Sequence, residues 1–80
     1  MRIYSEQQEL TDVICNMCNK HLKVKDGMLL EECSNIEQHF GYFSKKDGMI
    51  EKFDLCEECY DAFVKQFQLP AEQEETKEYL

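Results

Sequence analysis

Two cysteine pairs of identical form frame this chain. Cys15 and Cys18 are separated by two residues, Cys56 and Cys59 likewise, and 37 residues lie between the pairs. A two-residue spacer lets both sulfurs of a pair converge on one point. Two such pairs supply four soft ligands, the closed tetrahedral shell that Zn²⁺ prefers in structural sites. The spacing therefore predicts one structural Zn²⁺ held by Cys15, Cys18, Cys56 and Cys59, with no position open to water or substrate. Four thiolates also suit iron, as in a rubredoxin-type site, and the sequence alone does not separate the two metals.

The rest of the composition agrees with a metal staple. The chain has 80 residues, enough for one domain whose core supplies only a few kcal/mol of net stability. Its five cysteines are an odd number, which does not suit a closed disulfide framework. The start, Met-Arg-Ile-Tyr-Ser-Glu-Gln-Gln-Glu, turns polar at once and does not read as a signal peptide. No segment approaches the roughly 18 apolar residues of a membrane helix. The expected compartment is the cytoplasm, where thiols stay reduced. Net charge is −8, from 17 acidic and 9 basic residues with Arg2 the one arginine. That sign opposes the phosphate backbone of nucleic acids and favours a protein partner, or a basic one.

Local patterns place the pairs on a fold. Residues 1–9 read as a weakly tethered start, with Ile3 and Tyr4 able to pair onto a sheet edge. Residues 10–15 read as a strand leading into a tight loop, Cys15-Asn-Met-Cys18-Asn-Lys. Asn16 and Asn19 suit turn positions there, because Asn tolerates left-handed backbone angles. Residues 21–25 and 28–33 read as strands about Asp26-Gly27, a strong hairpin signal. Residues 34–39 show no period and read as a loop. Residues 40–44 are aromatic and strand-like, and Asp47-Gly48 gives a second hairpin turn into residues 49–55. Lys-Asp-Gly-Met occurs at both turns, which convergence on hairpin chemistry explains more simply than duplication.

One helix is expected from near Cys56 to about Phe67. Asp54 and Glu57 resemble a capping box, Glu57 and Glu58 suit the helix dipole, and Tyr60, Phe63, Val64 and Phe67 form one apolar face. Pro70 marks the stop. Residues 1–69 are thus expected to form the zinc-binding domain and 70–80 a flexible acidic tail, with Tyr79 and Leu80 as apolar residues at its end. A knuckle, hairpins, and a helix carrying the second cysteine pair is the arrangement of a treble-clef finger. The segment Phe53-Asp-Leu-Cys56-Glu-Glu-Cys59-Tyr-Asp-Ala-Phe63 looks like the helix start of that group. Over about residues 13–67 the chain resembles small uncharacterised four-cysteine zinc-finger proteins of bacteria and their phages. Those pair an early Cys-x2-Cys with a late Asp-Leu-Cys-x2-Cys-Tyr. The resemblance implies fold and metal more than activity, since this fold hosts many roles. Strong acidity sets the chain apart from nucleic-acid-binding members.

Other residues admit competing roles. A thioredoxin-like redox site needs a single pair beside a βαβ unit, which is absent from the sequence pattern. Cys33 reads as a small, partly buried apolar residue rather than a ligand. His21 follows the knuckle and reads as an exposed strand residue, although it stands close enough in sequence to replace or support a sulfur. His39 would suit a nuclease of the His-Asn-His kind only with metal-binding histidines on the helix, which has none. Lys20, Lys23 and Lys25 form a small basic cluster that alternation places on a solvated face. Phe40, Tyr42, Phe43, Phe53, Tyr60, Phe63 and Phe67 should mostly form a core between sheet and helix, any surplus serving a partner or a second copy.

The expectation is thus an α+β domain of antiparallel hairpins and one C-terminal helix, treble-clef-like, with a structural zinc site. Its expected role is a protein-interaction or adaptor module without catalysis. Alternatives are a nucleic-acid-binding zinc finger and an acidic decoy of a nucleic-acid-binding protein.

Overall fold

The computed structural model describes residues 1–76. The described residues form an α+β arrangement of three small antiparallel sheets and one helix. The first sheet has the order β1 (Arg2–Tyr4), β2 (Leu10–Ile14), β3 (His21–Leu22). A two-stranded hairpin of β4 (Val24–Lys25) and β5 (Met28–Leu29) follows. The third sheet pairs β6 (Cys33–His39) with β7 (Ile50–Cys56), and α1 (Glu57–Val64) leaves directly from the end of β7.

The chain start is better held than its polar sequence suggests. Arg2 and Ile3 pair with Val13 and Asp12 across β1 and β2. The expected strand over 21–25 breaks at Lys23. Its N–H donates to Glu31 Oε2 at 2.6 Å, and its carbonyl accepts from Leu30 N at 2.8 Å. The hairpin turn itself is as predicted: Asp26 and Gly27 have φ of 53° and 77°, the left-handed pair of a type I′ turn. The second Lys-Asp-Gly-Met does different work. There Gly48 has φ of 89° while Asp47 stays in the ordinary region, and the glycine closes a wide loop in which its N–H reaches Phe40 O at 3.1 Å.

Residues 34–39, read as a loop, are the greater part of β6. Their alternation is invisible because both faces are mostly polar and Ile36 is the sole large apolar side chain. A full register with β7, from Cys33 opposite Cys56 to His39 opposite Ile50, makes them a strand. Residues 40–44, read as a strand, are instead the loop tip. Tyr42 and Phe43 stack edge to face on each other with centroids 5.3 Å apart, and Phe43 is 99% exposed.

Side-chain alternation gives the β6–β7 hairpin two unlike faces. Cys33, Asn35 and Glu37 stand with Cys56, Asp54 and Lys52 on one face, and Ser34 and Ile36 stand with Leu55 and Phe53 on the other. Helix α1 packs against both strands. It ends at Val64, not Phe67. The following turn tightens: Gln66 N donates to Phe63 O and Phe67 N to Val64 O, the shorter spacing common at helix ends. Residues 71–76 are exposed and without regular structure. Tyr79 and Leu80 lie outside the described residues.

The core departs from the expected aromatic cluster. Its fully buried apolar members, among the described residues, are Val13, Cys15, Leu22, Leu55 and Cys56, with Leu10, Val24, Leu29, Cys33, Ile36, Phe53 and Cys59 packed on them. No residue of α1 is fully buried, and Tyr60, Phe63 and Phe67 keep about two-fifths of their surface exposed. Two cysteines of the site therefore sit inside the core, and Phe53 is the aromatic packed against it. Among the described residues no helix is long and apolar enough to cross a membrane.

Candidate metal centre

All four predicted cysteines meet. Cys15 directly follows β2 and is buried, Cys18 is exposed in the knuckle, Cys56 ends β7, and Cys59 lies in the first turn of α1. Their Sγ atoms all lie within 4.8 Å of one another, and all five cysteines are free thiols. Cys18 Sγ and Cys56 Sγ stand 3.8 Å apart. A tetrahedral ion with metal–sulfur bonds of about 2.3 Å has sulfur–sulfur edges of about 3.8 Å. The cluster can thus hold one metal ion with little rearrangement. Four cysteine sulfurs occupy every position of such a shell.

The backbone prepares the site. Cys15 N donates to Lys20 O at 2.9 Å and Asn19 N to Cys15 O at 2.9 Å, closing the knuckle, with Asn19 at φ 69°. Asn16, expected at a left-handed turn position, ties the knuckle to β7 instead. Its N–H donates to Asp54 O at 2.8 Å and its Oδ1 accepts from Asp54 N at 3.0 Å.

Electrostatics make one sulfur ready for a cation. Burial pushes the Cys15 thiol up, but N–H groups of Cys56, Cys18 and Met17 point at its sulfur and bring it down to about 6. Cys59 shifts the other way, because the sulfurs of Cys56, Cys18 and Cys15, together with desolvation, disfavour another thiolate. Crowded thiolates repel, and a divalent cation at their centre removes that repulsion.

The sequence also predicts an Asp54 capping box, which the fold replaces. Cys56 is the N-cap residue of α1, in extended conformation (φ −68°, ψ 164°), without a side-chain cap. The Asp54 carboxylate, 3% exposed, serves another purpose. It accepts from the Met1 amine at 2.7 Å, Arg2 Nε at 3.1 Å and Asn35 Nδ2 at 2.9 Å. Burial alone would raise the Asp54 carboxyl, but the bonds from the Met1 amine, Asn35 and Arg2 outweigh it and hold it down at about 2. Sequence reasoning missed this anchor, because its partners lie 19 to 53 residues away.

The remaining candidates stay outside the sulfur cluster. Cys33 is half-buried beside Cys56 in register, and its Sγ donates to Asp54 Oδ1 at 3.5 Å. Burial and the Asp54 charge push its thiol up. His21 Nδ1 lies 3.0 Å from Asp12 Oδ2, and His39 Nε2 lies 3.6 Å from Glu37 Oε2. Lys20 of the basic cluster is shared between Glu31 at 3.4 Å and Glu58 at 3.5 Å.

Four sulfurs gathered by a knuckle, a strand end and a helix start could hold a metal ion, an arrangement consistent with a zinc-finger-like fold. Compared with protein-family models, with curated proteins and with solved structures, the chain matches none.

Proposed function

We infer that this chain is a small cytoplasmic, treble-clef-like protein in which Cys15, Cys18, Cys56 and Cys59 hold one structural Zn²⁺, and that it serves as a protein-interaction module without catalysis. The convergence of four sulfurs within 4.8 Å of one another, with Cys18 and Cys56 at tetrahedral edge length, carries the metal reading. Zinc is preferred to iron because it satisfies four thiolates without redox chemistry. The ion would act as a staple, because the shell has no vacancy for water. Its ligands come from β2's end, the knuckle, β7 and α1, so one ion would join all of these elements.

An acidic surface and exposed aromatics favour a protein partner. The pairing of Lys20 with two glutamates weakens the Lys20, Lys23 and Lys25 cluster as a nucleic-acid contact. The test joins elemental analysis to binding assays on metal-loaded protein. The expected result is about one zinc per chain and no DNA or RNA shift at low salt. A shift lost in a Lys20→Ala/Lys23→Ala variant would favour the nucleic-acid reading instead.

A further inference from the structure

One amine braces the sulfur cluster from behind. The Met1 ammonium has three N–H groups and meets three acceptors: Ile14 O at 2.7 Å, Asn16 Oδ1 at 2.6 Å and Asp54 Oδ2 at 2.7 Å. Ile14 and Asn16 flank Cys15, and Asp54 stands two residues before Cys56. The amine therefore bridges the two segments that carry the buried cysteines of the cluster. It also holds the Asn16 side chain, whose Oδ1 accepts from Asp54 N as well. A return bond from Ile14 N to Met1 O at 2.7 Å keeps the amine in place.

This arrangement needs a charged amine. A formyl or acetyl cap leaves a neutral amide with one N–H, so two of the three acceptors lose their donor. The Asp54 carboxylate, 3% exposed, then faces one positive side chain instead of two cations. A buried carboxylate short of a partner is unfavourable. A polar cavity of about 470 Å³ lies beside Met1, Asn16 and Asp54 and has room for a small cap. The effect of a cap is thus one of charge and hydrogen bonding rather than of a clash.

In so small a core, folding and metal binding are coupled, and a looser junction between the knuckle and β7 reads out as weaker metal binding. We propose that the Met1 α-amine is a modification-sensitive site. Free and charged, it holds the knuckle and β7 at the spacing that the four sulfurs need; capped, it lowers the affinity of the centre for its metal. This rests on the metal reading of the four cysteines and adds a control on it.

The test uses the full 80-residue chain, made by chemical synthesis with Met1 free, formylated or acetylated. Zinc affinity is measured for each by competition with a chromophoric chelator. The free form should bind zinc about tenfold or more tightly than either capped form, the size of effect expected for a lost hydrogen bond to a charged group. The same three forms are then made with Asp54→Asn. There the difference should shrink to about threefold or less, because the amine no longer faces a charge. Gly48→Ala, at the far end of the β6–β7 hairpin, should leave the tenfold difference intact. Equal affinity of free and capped chains overturns the proposal, as does a difference that Asp54→Asn leaves unchanged. Tight and equal binding by all forms would refute this site alone, whereas zinc binding by none would refute the metal reading with it.

Discussion

At the scale of single residues, the same side-chain type does different work according to what faces it. Cys15 and Cys33 are both cysteines near the core, yet backbone N–H groups converge on the first and a carboxylate lies beside the second. Substitution should separate them. Cys18→Ser removes one of the four clustered sulfurs, and metal content and far-UV signal should both fall. Cys33→Ser should retain full metal content and shift the melting midpoint only slightly. Asp54 is the other decisive residue. Asp54→Asn keeps the shape but removes the charge that satisfies the Met1 amine and Arg2. Hydrogen bonds to charged groups contribute about 1.5–3 kcal/mol each in favourable cases, and partial exposure of Arg2 lowers this, so a loss of about 1–3 kcal/mol in denaturant unfolding of the metal-loaded protein is expected. The clustering of the four cysteines was legible because their spacing is local and repeated. The Asp54 anchor was not, because an Asp three residues before Glu57 carries the same local signal as a capping box. Only the register with Asn35 and the approach of the chain start divert it.

Among the elements, turns were more legible than strands. Asp26-Gly27 specified its hairpin because both residues must adopt left-handed angles, a demand few pairs meet. Strand β6 was hidden because a two-stranded ribbon with polar residues on one face and a single Ile36 on the other lacks the alternation that marks a half-buried strand. The aromatic run at 40–44 misled for the converse reason: β propensity reflects packing on a sheet, and the loop tip has none to pack on. The two glycines of the repeated tetrapeptide offer a graded test. An added Cβ at Gly27 would meet Glu9 Cγ at 3.0 Å, while at Gly48 no atom of the described residues lies within 4 Å. Both have positive φ, so each alanine costs about 1–2 kcal/mol in backbone strain. Gly27→Ala should be the more destabilising of the two, as read from melting midpoints.

At the scale of the whole molecule, the buried core is too small to explain the fold by itself. Among the described residues its fully buried apolar side chains are five, and two of these are the cysteines Cys15 and Cys56. Structural zinc contributes about 10–16 kcal/mol of apparent binding free energy in small fingers. That exceeds the few kcal/mol a core of this size supplies. Folding and metal binding should therefore be one transition, with stability that depends on free metal concentration. The most direct measurement is elemental analysis of the purified chain followed through a chelator titration, with far-UV circular dichroism recorded on the same samples. About one zinc per chain, lost together with the folded signal, is the predicted result. A folded signal that persists after the metal is shown to be gone would contradict the central claim.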